Sequence, residues 1–344
     1  MSRRRLILRM SEEINILTNQ YFQQVDLPNL AIPPNNVLIQ PAVQEALYED
    51  MFKDSLTPLP PASYRSRVLK LLISRMEEAI TDPDQDEIID TLMETWGALL
   101  ITPKPNAIQQ AQRLSQIKYT APTPTTTITP PRTIITSESR GVILAGGTTG
   151  NRTWEAALHL GTYLSTKSGE ALVRDKRVIE LGAGTGFLSL FCAKYLGANV
   201  VATDREQFLI DNMNTCVALN SENLSPEGKI PMYAGIWDWG TKLQGEGIGE
   251  EFDVAIGADL IYDADIIPLL ISTVRDLFDN YHVREFILAA TLRNEKTFRT
   301  FLDACESNHF SVETLPFQSP KSQEQTGFFH STDIPIHTYR ILPS

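Results

Sequence analysis

The chain has 344 residues, 42% of them hydrophobic and 21% charged, with a formal net charge of −12. That length allows two domains with sizeable cores, and the composition is ordinary for a water-soluble globular protein. The acidic balance argues against a general binder of nucleic acid or anionic membranes, and no run approaches the ~18 apolar residues of a membrane span.

Met1-Ser-Arg-Arg-Arg opens basic, but Glu12 and Glu13 follow, which predicts a cytosolic start rather than an organelle signal. Cys192, Cys216 and Cys305 are odd in number, lack C-x-x-C spacing and read as buried thiols in a reducing compartment. The localisation expected is cytoplasmic. The histidines have no metal-ligand spacing, so no metal is expected.

Residues 1–118 predict a helical domain. Ser11-Glu-Glu looks like a helix start ahead of Ile14, Leu17 and Phe22, and another helix is expected over Pro41 to Phe52. Val68, Leu69, Leu72, Ile73, Met76 and Ile80 recur at helical spacing. Ile88, Ile89, Leu92, Met93, Trp96, Leu99 and Leu100 do the same, with Trp96 read as core. Residues 119–140 are rich in Thr and Pro and predict a linker or a β-ribbon. Gly146 to Gly150 reads as a flexible loop leading into a helix from Trp154.

The most informative stretch runs from Arg177 to Asp204. Val178 and Ile179 open a strand, Glu180 precedes the first glycine, and Gly182, Gly184 and Gly186 form a G-x-G-x-G turn. Phe187 to Phe191 continue as a helix, and Asn199 to Thr203 make a second strand that stops at Asp204. Strand, glycine turn, helix, strand and acid is a βαβ unit with a ligand site at the strands' carboxyl ends. Asp204 is placed to accept a ribose diol, which suits a dinucleotide or S-adenosylmethionine. The G-x-G-x-G spacing, and a carboxylate at Glu180 that repels a pyrophosphate but attracts an ammonium or sulfonium, favour S-adenosylmethionine.

Further on, a helix over Glu206 to Leu219 and a strand near Lys229 to Ala234 lead to Trp237 and Trp239. Leu243 to Glu250 reads as a Gly-rich acidic surface loop. Phe252 to Asp259 is an apolar strand ending in an acid and followed by Leu260-Ile-Tyr262. A helix, a strand at Phe286 to Thr291, another helix and two final antiparallel strands complete a mainly parallel, doubly wound sheet. The fold class expected is α/β.

TTGNRTWEAALHL, VIELGAGTGFLSL, TDREQFLIDNMNTCVALN, WDWG and DVAIGADLIYD, in that order, resemble the seven-strand (class I) protein-lysine methyltransferases. The resemblance covers about residues 141–342, and within the family it is nearest the branch acting on eukaryotic elongation factor 2. It implies a Rossmann-like methyltransferase domain over 141–344 with S-adenosyl-L-methionine as cofactor. It places cofactor contacts on Trp154, Gly182, Ala183, Gly184, Asp204, Trp239 and Ala258, beside Glu180 from the residue-level reading. Trp239 can flank the adenine, and Ala258 is small enough to leave room beside the turn. For Trp237, loop packing is the favoured role.

The family's D-x-x-Y motif falls on Asp259 and Tyr262, the expected acceptor-side pair. A lysine of pKa ≈ 10.4 is neutralised at pH 7 only at a cost of about 4.6 kcal/mol, so Asp259 is cast as a positioning group rather than a strong base. Tyr262 can line the channel by a cation–π contact. A helix cap is the alternative role for Asp259. The expected partner is a protein substrate, elongation factor 2, with no nucleic acid, no membrane and a monomeric enzyme. The helical residues 1–118 are expected to dock that substrate. Competing readings are methyl transfer to another protein or a small molecule, and a non-catalytic binding protein on the same fold. A nicotinamide dehydrogenase is disfavoured by the lack of a Tyr-x-x-x-Lys.

Overall fold

The computed structural model describes residues 3–82, 86–103, 114–122, 130–139, 149–221, 229–243 and 251–343, with side chains from residue 12 onward. Residues 146–148 of the loop expected over Gly146 to Gly150, residues 244–250 of that expected over Leu243 to Glu250, and Ile128 of the Thr/Pro-rich stretch lie outside them. The chain divides into two compact units, Met1–Thr120 and Ala121–Ser344.

The first unit is helical: α1 (Arg3–Phe22), α2 (Asn35–Leu38), α3 (Pro41–Leu47), α4 (Ala62–Glu77) and α5 (Asp90–Ile101), with a strand β1 (Ser115–Thr120) at its end. Leu17, Tyr21 and Phe22 of α1 pack with Leu47, Phe52, Val68, Leu69, Leu72 and Leu92 in one core. The expected helix over Pro41 to Phe52 is present, but its last turn, Tyr48–Phe52, is π-helical. Ile88 and Ile89, expected inside a helix, precede α5 instead. The buried Gln44 amide explains this, because it donates to the Glu87 carbonyl at 2.9 Å and accepts from the Ile89 N–H at 3.0 Å. The chain entering α5 therefore hydrogen-bonds to a side chain where a helix would bond to itself. Trp96 packs against the edge of the core.

The second unit contains β2 (Thr133–Glu138), α6 (Glu155–Leu164), α7 (Lys167–Val173), β3 (Arg177–Leu181), α8 (Phe187–Tyr195), β4 (Asn199–Asp204), α9 (Gln207–Ser221), β5 (Met232–Ile236), β6 (Val254–Ala258), α10 (Ile267–Asn280), β7 (Phe286–Thr291), α11 (Glu295–Ser307), β8 (Phe310–Thr314) and β9 (Ile336–Pro343). Seven of its strands form one sheet in the order β5-β4-β3-β6-β7-β9-β8. Pairing is parallel from β5 to β7 and antiparallel for β9 with β7 and β8. The sequence did not reveal α7, a short helix whose first turn is capped by the Thr166 hydroxyl accepting from Gly169 N–H.

Every residue of β7 is buried, as is most of β3, β4 and β6, because helices cover both faces of a parallel sheet. Central strands of this kind read as unbroken apolar runs, which is why they were visible in the sequence. Chain order runs outward from β3 to β5 on one side and from β6 to β7 on the other. The crevice at the carboxyl ends of β3, β4 and β6 is therefore a topological switch point, where such sheets bind ligands.

Candidate active site

At the end of β3 the chain turns through Gly182, Gly184 and Gly186 at φ angles of +60°, +53° and +74°. A Cβ on Gly182 would lie 2.8 Å from Leu260 Cδ2, and one on Gly184 would lie 3.0 Å from the Gly150 carbonyl oxygen. The left-handed conformation favours glycine at both positions, and at Gly184 the close backbone neighbour adds to it. The turn borders a cavity of about 500 Å³, a size suited to a small-molecule ligand. Its lining includes Glu180, Gly182, Ala183, Gly184, Asp204 and Ala258 from the sheet ends, Trp154 and Trp239 from flanking loops, and the Asp259/Tyr262 pair. One cavity thus brings together every site residue expected from the sequence.

Asp204 closes β4 with its carboxylate turned back onto the turn. Oδ2 accepts from the Gly184 N–H at 2.9 Å and Oδ1 from the Arg205 N–H at 2.8 Å. Burial raises its pKa, and the backbone donors of Gly184, Arg205 and Glu206 pull it back. A carboxylate has about four lone-pair sites, so capacity beyond these backbone donors remains for a diol.

Glu180 reaches the cavity, as expected, but one of its oxygens is held from behind. It is 3% exposed, and Oε2 accepts both the Ser189 N–H at 3.0 Å and the Ser189 hydroxyl. The side chain touches the cavity floor but is anchored on α8. Burial pushes its pKa up to about 8, against the opposing pull of Ser189.

A buried acid with a raised pKa stabilises the ligand-free fold below its unfolded value of 4.5, and that contribution is lost as pH rises through about 8. A cation bound nearby favours the ionised form, so its binding expels the proton. Cofactor affinity is therefore expected to rise severalfold from about pH 6 toward 8, and to fall above that as the cofactor's own ammonium loses its proton. Titration calorimetry across that range checks this, and Glu180→Gln should flatten the dependence.

Trp239 lies beside the turn, its Cζ2 3.4 Å from where a Gly182 Cβ would be. Trp237 is 2% exposed and its Nε1–H donates to the Thr241 carbonyl at 3.0 Å, a packing role although it too reaches the cavity wall. Trp154 ends the loop before α6, and its Nε1–H donates to the Thr149 carbonyl at 2.9 Å. The guanidinium carbons of Arg152 and Arg293 lie 5.0 and 5.5 Å from its ring centroid. Cation–π attraction from the two arginines holds the indole at the rim.

Asp259 adopts φ +54°, a conformation that Asp and Asn tolerate best among residues with side chains. Oδ1 accepts from the Thr291 N–H at 2.9 Å and Oδ2 from the Thr291 hydroxyl at 3.1 Å, so the end of β7 aims the carboxylate. Arg293 lies 3.7 Å from Oδ2 and 3.0 Å from Glu155. Burial raises the Asp259 pKa, while Thr291 and Arg293 lower it. The helix-cap role belongs instead to Asp263, which accepts from the Asp265 N–H at 3.0 Å. Tyr262 is 62% exposed and stands at the mouth with Leu269, which is 45% exposed.

Sequence reasoning missed Thr291, Arg293 and Arg152. Thr291 had a usable signal: it is the last residue of a strand parallel to β6, and such ends meet at the crevice. The arginines follow no motif and are placed only by the folded loops.

These carboxyls, gathered at the end of a glycine turn, suit a ligand that carries positive charge and a ribose. Comparisons with known proteins agree. A family model described as "Lysine methyltransferase" matches residues 144–308. Protein-lysine N-methyltransferase EFM3 of Chaetomium thermophilum is 42% identical over 314 residues, spanning 90% of this chain and 92% of that protein. Its Saccharomyces cerevisiae namesake is 30% identical over 64% of each chain. Protein-lysine N-methyltransferase EEF2KMT of Mus musculus is 23% identical over 75% of this chain and 72% of its own. The chain belongs to the protein-lysine methyltransferases, enzymes that use S-adenosylmethionine to alkylate lysine side chains.

Proposed function

We propose that this cavity receives a lysine of eukaryotic elongation factor 2 for methylation. The observation that carries the reading is that Asp204, suited to a ribose, and Asp259, suited to an amine, line the same cavity. S-adenosylmethionine supplies an electrophilic methyl group on a sulfonium. Asp204 would accept the ribose hydroxyls, and Gly182, Ala183 and Gly184 would offer bare backbone. Trp239 would flank the adenine, Ala258 would leave room beside it, and Trp154 would close the rim. Glu180, deep in the floor, would offset the ligand's positive charge.

On the acceptor side, the arriving lysine must be neutral, a cost of about 4.6 kcal/mol at pH 7. An isolated carboxylate would hold the proton on the amine. Arg293, 3.7 Å from Asp259, offsets that charge, so Asp259 can orient the amine without keeping it protonated. Tyr262 and Leu269 would contact the lysine stem and its surroundings at the mouth.

Support for the elongation factor comes from the mouse relative bearing EEF2 in its name. A second mouse relative, EEF1A lysine methyltransferase 3, is 32% identical over 47% of this chain and 64% of its own, which makes elongation factor 1A the competing acceptor. The helical unit would dock the folded substrate, since a stable interface needs ~800 Å² per partner, more than a crevice mouth offers. The test incubates the purified enzyme with S-adenosylmethionine and each factor in turn, then maps modified peptides. Methylation of a lysine in elongation factor 2 and not in 1A is expected, and the reverse preference would reject this acceptor.

A further inference from the structure

Glu138, at the end of β2, is a carboxylic residue with no part in the chemistry above, and it is fully buried at 0% exposure. A charge so placed is costly unless hydrogen bonds satisfy it. Its Oε1 accepts from the Thr136 hydroxyl at 2.6 Å and the Thr153 hydroxyl at 2.7 Å, and its Oε2 accepts from the Thr153 N–H at 3.1 Å. The Thr153 oxygen lies 2.7 Å from the Thr185 hydroxyl oxygen. Thr185 stands between Gly184 and Gly186 in the glycine turn, and both threonines line the cavity.

The direction of the protons follows from the count. A hydroxyl carries one proton. Thr153 gives its proton to Glu138, so at its contact with Thr185 it must accept. The Thr185 proton then points away from any ligand, and Thr185 has only lone pairs left to offer. Such a group suits an N–H cation and disfavours a phosphate or carboxylate oxygen.

The same carboxylate also fixes the loop ahead of α6. Its bonds to Thr153 are reinforced by Ser139 N–H donating to the Asn151 carbonyl at 3.0 Å. The Gly150 carbonyl lies against Gly184, close enough to exclude a Cβ there. Trp154 follows directly.

We infer that Glu138 is a positioning residue for the cofactor site: through Thr153 it seats residues 149–154 on the glycine turn and orders the Thr185 hydroxyl as an acceptor for the cofactor's ammonium group. The inference rests on the reading that S-adenosylmethionine occupies this cavity.

Two ligands separate positioning from mere support. S-adenosylmethionine carries the ammonium, whereas methylthioadenosine keeps the nucleoside and sulfur but lacks the amino-acid end. Glu138→Gln is close in shape, but its amide nitrogen must face either the Thr153 N–H or the Thr136 and Thr153 hydroxyls, so it either loosens the loop or reverses the relay. Thr185→Val removes the last hydroxyl and guards against a Glu138 variant that fails to fold. Calorimetry is expected to show S-adenosylmethionine affinity falling about tenfold or more in both variants, with methylthioadenosine affinity unchanged in Thr185→Val and falling by less than S-adenosylmethionine affinity in Glu138→Gln, which also loosens residues 149–154. Thr185→Ser, which keeps the hydroxyl, should recover most of the loss.

Equal losses for the two ligands, together with a lowered melting temperature, would reduce Glu138 to a structural residue. Unchanged affinity for both ligands in Thr185→Val would overturn the relay. Asp204→Ala distinguishes failure of the underlying reading: if it alters neither ligand's affinity, the cofactor binds elsewhere.

Discussion

Replacing Asp204 with alanine is expected to weaken S-adenosylmethionine binding about ten- to hundredfold, the cost of losing charge-assisted hydrogen bonds. Two losses add. The ribose would lose its acceptor, and the Gly184 and Arg205 N–H groups would lose theirs at 2.9 and 2.8 Å. The second loss acts on the turn itself, because Gly184 is held at φ +53° against Gly150. Asp204→Asn separates the two effects. It can still accept one backbone N–H, so it should keep more of the turn's order while losing the charge. Calorimetry showing wild-type affinity in the alanine variant would remove Asp204 from the site.

Asp259→Asn is expected to lower turnover about a hundredfold, the scale set by misplacing a reacting group, with cofactor affinity unchanged. Asparagine is the informative choice because it tolerates the φ of +54° at this position, so the backbone need not move. Its side chain can still accept from the Thr291 N–H. With that contact kept, its amide nitrogen takes the place of Oδ2 and faces both the Thr291 hydroxyl and Arg293, and Arg293 can only donate. The aim of the side chain is lost while its volume is retained. Steady-state kinetics paired with calorimetry reads the split. Cofactor binding that falls in step with turnover would place Asp259 in the cofactor pocket. Unchanged turnover would remove it from the reaction.

The sequence carried most of the parallel sheet, since β3, β4, β6 and β7 are short apolar runs buried on both faces and punctuated by glycine or an acid. It also carried the positions of Gly182, Asp204 and Asp259, because strand ends in this topology converge on one crevice. What it did not carry is how polar side chains pair once the loops have folded. Glu180 reaches the cavity as expected, but no local pattern announced that a hydroxyl nine residues later would hold its Oε2. Asp259 was open to a capping role that the structure gives to Asp263. Thr291 lies 32 residues beyond Asp259, and no local pattern joins them. Glu138 is the extreme case: it ends a strand in a Thr-rich stretch and reaches the glycine turn only through Thr153. Periodicity reports burial. It does not report which buried carboxylate finds which hydroxyl.

The proposed reaction moves a methyl group from S-adenosylmethionine to a lysine of elongation factor 2 within one cavity. The decisive experiment adds methyl-labelled cofactor and purified enzyme to extract from cells lacking this protein, with Asp259→Asn enzyme in parallel. A dominant labelled band at elongation factor 2 is expected, with label confined to lysine on peptide mapping and little label with the variant. Label on another protein, on a small molecule or on a residue other than lysine would contradict it, as would equal labelling by the variant.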